Sequence, residues 1–504
     1  MTAVQRAGIV DLGSNTSRLV VYAFSPGEWF RLEDEIREPV RLGEGLAESG
    51  RLSEGGIRRG LAALRLYADF AASTNLAAVT VIATSAVRDA SNQGAFLKAA
   101  KPIGLPIEVL SGPQEAAHGV LAVANSLNFS EAWVMDLGGG SAQLSRMENR
   151  EYASGTAHPL GGVRLTEGYL RSDPPKANEV EALERMARKS LRRELRQMKA
   201  DGMPLVAMGG TIRNLARAVQ KAQGFPLDLL HGYYLELDGL QTLIEKLLSS
   251  STKQRAAIPG INADRADVIL AGALVYRTVL IGAGLGGLTV SGQGVREGAF
   301  YMRFLPAPHL VPDVRTFGVR NLFMRYEQPL AHTERVRALA RKLFDGTAVL
   351  HGLGPHDART LDDAATLHDI GTVIAYHDHH KHGAYLVSAD SLPGISLRDH
   401  ALLTLLVQYH RKGDPKPGIY KPLLGPQDAP MTQRLAACLR LAEFLERSRA
   451  GRVRDLEVTV EPKAVHVRLI ADGEPRVELW EARKQAPFFQ KAFGRALILE
   501  PDLD

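Results

Sequence analysis

Two stretches of this 504-residue chain repeat one chemical pattern, VDLGSNTSRLVVY and VMDLGGGSAQL. Aligned, Asp11 meets Asp136, Leu12 meets Leu137, Gly13 meets Gly138, Thr16 meets Ser141 and Leu19 meets Leu144. Each copy is an aspartate followed by a Gly-rich turn that ends on a hydroxyl. Phosphate oxygens need backbone N–H donors close by, and glycine lets the backbone approach. Gly13, Ser14, Asn15 and Thr16, with Gly138, Gly139, Gly140 and Ser141, are therefore candidate phosphate-binding residues. Asp11 and Asp136, each ending an apolar run, can hold Mg²⁺ through waters. Two such loops facing each other would grip two phosphates of one ligand. No GxxxxGK[ST] occurs, which excludes a P-loop.

Both loops lie between apolar runs, at residues 7–24 and 131–148, and read as hairpins of two equivalent halves. Further elements must carry them. Ser53 is expected to cap a helix with Ile57, Leu61, Leu64 and Ala68 inward, and residues 78–84 (AVTVIAT) read as a buried strand. Ile107–Leu110 reads as a short strand. Ser111-Gly-Pro then opens a helix, with proline where its missing N–H costs nothing. Asn178 is expected to start a long basic helix with Val180, Leu183, Ala187, Leu191 and Leu195 inward. Its outer face holds Arg185, Arg188, Lys189, Arg192, Arg193 and Arg196. Leu205–Met208 reads as a strand that runs into Gly209-Gly210, and Leu288–Ser291 as one that runs into Gly292-Gln293-Gly294.

The texture changes near Pro306-Ala307-Pro308. Of the 15 histidines, 12 follow residue 300, and residues 315–450 read as helical. The tail returns to alternation: LEVTVE, AVHVRLIA, an Asp472-Gly473 turn, then RVELWEA. These shifts divide the chain into residues 1–125, 126–305, 306–450 and 451–504.

Composition is that of a multidomain globular protein, 45% hydrophobic and 23% charged. The lone cysteine, Cys438, excludes a disulfide framework or a Cys-based zinc site. The N-terminus lacks the basic and apolar regions of a signal peptide. The longest apolar run, Val268–Tyr276, is too short to span a membrane. A cytoplasmic, non-membrane protein is expected. The formal net charge of +5 suits a polyanionic ligand.

VDLGSNTSRLVVY, ATSAVRDA, LSGPQEAAHG, VMDLGGGSAQL, PLGGVRLTE, AMGGTIRNLA and SGQGVREG stand here in the order found in the exopolyphosphatase/guanosine pentaphosphatase family, which the chain resembles over about residues 7–300. The resemblance implies an α/β fold: a duplicated actin-like (ribonuclease H-like) core, then an all-α HD-like domain and a small α+β tail. It implies a Mg²⁺-dependent hydrolase that contacts neither nucleic acid nor membrane and acts as a homodimer. The expected reaction is release of orthophosphate from polyphosphate ends. Alternatives are hydrolysis of guanosine pentaphosphate to tetraphosphate, an ATP-using kinase, and a non-catalytic sensor of such polyanions. Glu115, in LSGPQEAAHG, matches the family's catalytic glutamate and would orient or deprotonate a water. Arg88 would neutralise phosphate charge, with Arg164 and Arg213 as weaker candidates. Gly209 and Gly210 form a further loop, where actin-like proteins often meet a nucleoside. Gln143 stands where the family carries glutamate. It can hydrogen-bond a water but cannot serve as an anionic metal ligand or base.

The His-rich region resembles an HD-type metal-dependent domain through His332 in AHTERVRALA, His368-Asp369 in TLHDIG, and LRLAEFLERS. Glu443 stands there in place of aspartate. Those four residues are a candidate second metal site, and His379, His380, His382 and His410 are candidates to complete it. The extra methylene of Glu443 argues against it. A structural or dimerisation role, with weak metal binding at most, is the expectation.

Overall fold

The computed structural model describes residues 4–326 and 329–503, so residues 1–3, 327–328 and 504 of the expected domain ranges lie outside the described residues. The chain forms two compact units. The first comprises Met1–Phe225 and Leu230–Val314; the second comprises Pro226–Leu229 and Arg315–Asp504.

The first unit is built on two sheets. One holds β1 (Gln5–Leu12), β2 (Ser17–Ser25), β3 (Trp29–Glu38), β4 (Ala78–Ala83) and β5 (Ile107–Val109) in the order β3-β2-β1-β4-β5. The other holds β6 (Ala132–Leu137), β7 (Ala142–Glu148), β8 (Glu151–His158), β9 (Leu205–Met208), β10 (Tyr234–Glu236) and β11 (Gly287–Val290) in the order β10-β11-β9-β6-β7-β8. Read from β8, the second sheet repeats the first and adds β10. In both, two antiparallel hairpin partners flank one side of the central strand and parallel strands flank the other. This is the duplicated actin-like α/β core. Central strands are enclosed on both faces and so read as near-continuous apolar runs. Ile9, Val10 and Leu12 on β1, and Val134, Met135 and Leu137 on β6, are buried.

The helix Gly112–Ala124 begins with a capping box. The Ser111 side chain accepts from the Gln114 N–H, while the Gln114 side chain accepts from the Ser111 N–H. Such a cap is worth about 1 kcal/mol. The expected long basic helix is two helices, Ala177–Ser190 and Arg192–Asp201, broken at Leu191. Its five apolar residues face inward as expected, and its six basic residues are exposed. The apolar run 268–276 lies largely in the buried helix Ile269–Ala283. The unit continues past Pro306 to Val314 because Asn125 ties that segment back. Its amide donates to the His309 carbonyl, and its side-chain oxygen accepts from the Val311 N–H, both at 2.8 Å.

The second unit has its own core of helices, including Leu330–Gly346, Pro355–Leu367, Leu397–Tyr409 and Asp428–Leu445. Its tail is a three-stranded sheet of β12 (Val453–Val460), β13 (Ala464–Ala471) and β14 (Ala496–Leu503), with β13 central. RVELWEA departs from the strand reading: Arg476–Arg483 is a helix. Glu478, Leu479 and Ala482 are buried while Val477 and Trp480 are exposed. That is one face of a 3.6-residue period. β14 supplies the third strand instead, parallel to β13.

Candidate active site

The parallel strands of both sheets end at one cavity of about 150 Å³. This is where ligands meet open α/β sheets, beyond the carboxyl ends of the strands. Asp11, near the end of β1, and Asp136, near the end of β6, both line it. So do Gly13, Ser14, Asn15 and Thr16 from the first loop, and Gly138, Gly139 and Ser141 from the second. Glu115, Gln143, Gly209, Gly210 and Arg213 line it as well, whereas Gly140 lines a neighbouring crevice. The two loops touch. A side chain at Gly139 would come within 3.2 Å of Ser14 Cβ, and one at Gly140 within 3.3 Å of Ser85 Oγ. The hydroxyls of Ser14 and Ser85 are 3.3 Å apart.

Glu115 sits in the first turn of the helix Gly112–Ala124 and is 8% exposed. Burial pushes its carboxyl up to about 7. The hydrogen bond from Arg88, Nη1 to Oε2 at 2.7 Å, opposes that shift, and the charges of Asp136 and Asp11 add to it. Burial pushes Asp136 up to about 6 and Asp11 up also; the Asp11 charge adds to the Asp136 shift. Gly209, at φ +97°, leaves Asp136 its room: a Cβ there would lie 2.7 Å from Oδ1. The facing wall is cationic. Burial holds Arg213 down at about 10, with Arg296 the next largest cause. Two buried hard carboxylates in one cleft, the charge of Asp11 raising the proton affinity of Asp136, are a donor set that fits a divalent cation such as Mg²⁺.

Arg88 and Arg164 are not in the cavity wall. Arg88 spends its guanidinium on Glu115, on the Leu110 carbonyl at 2.9 Å and on Asp89 at 3.3 Å. Arg164 donates from Nε to the Gly140 carbonyl at 3.1 Å and lines a smaller neighbouring crevice with Gly140. Its segment braces the second loop. Gly162 N–H donates to the Gly138 carbonyl at 2.9 Å and Val163 N–H to the Gly139 carbonyl at 3.0 Å. A Cβ on Gly161 would collide with the Gly139 and Gly140 backbone. Gln143 is 4% exposed, and neither its amide nitrogen nor its oxygen has a hydrogen-bond partner among the described residues.

Sequence reasoning did not single out Arg18, Thr84, Ser85, Arg265, Arg296 and Glu297, which also line the cavity. All but Arg265 lie inside recognised motifs. Strand register could have found Arg18, since it pairs with Asp11 as Gln143 pairs with Asp136.

A duplicated core with two opposed Gly-rich loops at one cavity defines the class, and comparison with known proteins gives the same answer. The Ppx/GppA phosphatase family matches residues 20–306, and its domain III matches residues 314–475. The chain belongs to the Ppx/GppA phosphatase family. It is 29% identical to the Aquifex aeolicus family member of known structure, covering 59% of this chain and 97% of that one at a TM-score of 0.50. An exopolyphosphatase from Cytophaga hutchinsonii shares the fold, at 24% identity and a TM-score of 0.56 over 60% of this chain and 98% of that one. Among the described residues no helix is long and apolar enough to cross a membrane.

Proposed function

We propose that this cleft releases orthophosphate from the ends of inorganic polyphosphate. The observation that carries the reading is a buried Glu115, raised to about 7 and oriented by Arg88, at the cavity formed by two phosphate loops. A carboxylate with a proton affinity near the working pH suits removal of a proton from water. In the proposed step a water oxygen bonds to the terminal phosphorus as Glu115 takes its proton. The terminal P–O–P bond breaks, and its bridging oxygen leaves with the shortened chain. The loops at 13–16 and 138–141 supply N–H donors to the phosphate oxygens, and Arg213, Arg265 and Arg296 balance their charge. Asp11 and Asp136 would hold Mg²⁺, whose chemistry here is neutralisation of phosphoryl-oxygen charge. Arg88 is a positioning residue for Glu115, and Gln143 is free to bond the attacking water.

A second reading, cleavage of guanosine pentaphosphate, is favoured by one feature. The Arg265 guanidinium lies where a side chain on Gly210 would be, a planar group beside the third loop on which a base can stack. Phosphate release from long-chain polyphosphate, tripolyphosphate and guanosine pentaphosphate, measured side by side, separates the readings. Long chains are expected to bind tightest and to weaken steeply with salt, since a multi-contact polyanion releases counterions. Faster, salt-insensitive turnover of the nucleotide would favour the second reading. Binding of either ligand without release would identify a sensor.

A further inference from the structure

Gln143 is 4% exposed, lines the cavity, and has no hydrogen-bond partner among the described residues for either polar atom of its amide. Buried polar atoms are paired as a rule, so an unpaired donor and acceptor at a cavity wall call for an explanation. The strands show why the chain supplies no partner. On β7, Gln143 stands opposite Asp136 of β6 and opposite Ala157 of β8. Ala157 offers only a methyl group, and no hydrogen bond joins the amide to Asp136. Ala142 and Leu144, its neighbours along the strand, are buried on the other face of the sheet.

The matching position in the first half is satisfied differently. Arg18 stands opposite Asp11 and Arg37, and its guanidinium pairs with Glu35 at 2.9 Å. One half closes this position with an ion pair inside the chain. The other leaves a donor and an acceptor side by side at the cavity.

Charge decides what the amide can do there. Asp11, Glu115, Asp136 and Glu297 line the cavity with Arg18, Arg213, Arg265 and Arg296, four carboxylates against four guanidiniums. A carboxylate at position 143 would break that balance in a buried site. It would also stand beside Asp136, where two adjacent carboxylates form a second donor set for a hard cation. A neutral amide forms none, yet it donates and accepts at once. In the phosphoanhydride cleavage proposed for this cleft, on which the assignment rests, two groups must be held together. One is a phosphoryl oxygen, which accepts; the other is a water, which donates as it attacks. We propose that Gln143 aligns them, Nε2 donating to an oxygen of the terminal phosphoryl group and Oε1 accepting from the attacking water, and that by doing so without charge it limits the cleft to a single divalent cation, the one that Asp11 and Asp136 would hold. The second proton of the water is the one that Glu115 takes.

The test uses the full chain, tripolyphosphate, and two variants that keep the length of the side chain, Gln143→Met and Gln143→Glu. Gln143→Met removes donor and acceptor without adding charge. Its kcat is expected to fall by about 10²–10³-fold, the usual cost of one lost transition-state donor. The free Mg²⁺ that half-saturates the reaction is expected to stay at the wild-type value. Gln143→Glu is expected to bind a further equivalent of Mn²⁺ beyond the wild-type count, read by electron paramagnetic resonance of the ligand-free protein, and to respond to free Mg²⁺ along a steeper, two-ion curve. The wild type is expected to respond as to one ion. A glutamine that only supports the fold would lower the melting temperature of both variants and leave the metal count alone. Gln143→Met turnover within about threefold of wild type, an unchanged Mn²⁺ count in folded Gln143→Glu, or a two-ion response of the wild type each overturns the proposal, and the last needs no variant to fold. Failure of the reading of the cleft shows separately: the wild type then releases no phosphate from polyphosphate, tripolyphosphate or guanosine pentaphosphate.

Discussion

Glu115 and Arg88 form a pair in which burial and a cation act in opposite senses on one carboxyl. In the proposed mechanism, removing the charge removes the base. Glu115→Gln is expected to lower turnover by roughly 10²–10⁴-fold, the range for general-base catalysis. The melting temperature should barely move, because the amide can still accept from Arg88. Retention of more than a third of wild-type turnover would take Glu115 out of the mechanism. The sign of the pH dependence follows from the raised carboxyl. In the proposed mechanism the working form is the carboxylate, present above about 7 and lost to protonation below it. The kcat/KM profile is therefore expected to fall on its acid side near that pH, and a profile flat down to pH 5.5 would contradict the assignment. The loop glycines were legible because phosphate chemistry and turn geometry demand the same residue type. Arg18 and Arg296 were not, because an arginine on a strand or helix reads as surface charge until the register turns it inward. The His-rich cluster was half legible. Its residue types pointed to metal, but the reach of Glu443 to His332 and His368 depends on how five helices converge, which no local spacing encodes.

At the level of elements, the second Gly-rich loop depends on the segment that braces it. Gly161 packs directly on the Gly139–Gly140 backbone, and the N–H groups of Gly162 and Val163 are committed to the loop carbonyls. A methyl there must push the loop toward the cavity. Gly161→Ala is expected to cost about 1–3 kcal/mol in chemical denaturation, as overpacking does. Turnover should fall by more than tenfold with Glu115 untouched. Wild-type stability and turnover together would show that the brace is slack. The pattern of apolar runs and glycine turns gave the strands of the core, since buried central strands leave a long uninterrupted signature. RVELWEA was misleading because seven residues offer too short a window for period two to be told from period 3.6. The break at Leu191 was invisible because the apolar stripe continues through it.

At the level of the molecule, each compact unit carries a separate hydrophobic core. Units so built unfold as separate cooperative transitions unless they are strongly coupled. Leu406 is fully buried in the core of the second unit. Leu406→Ala is expected to cost that unit about 2–5 kcal/mol and, in calorimetry, to lower one of two transitions while the other stays in place. A single transition that moves as a whole would show one cooperative molecule.

The repeated sheet carries one more implication. A linear polyphosphate reads the same from either end, so the ligand brings no sense of direction to a cleft with matching loops on both sides. Any polarity must come from a difference between the matching halves. Here the strand position opposite the loop aspartate is Arg18 in one half and Gln143 in the other. In the proposed reaction, a cation on one side and an unpartnered neutral amide on the other would make the two ends of a bound polyphosphate inequivalent.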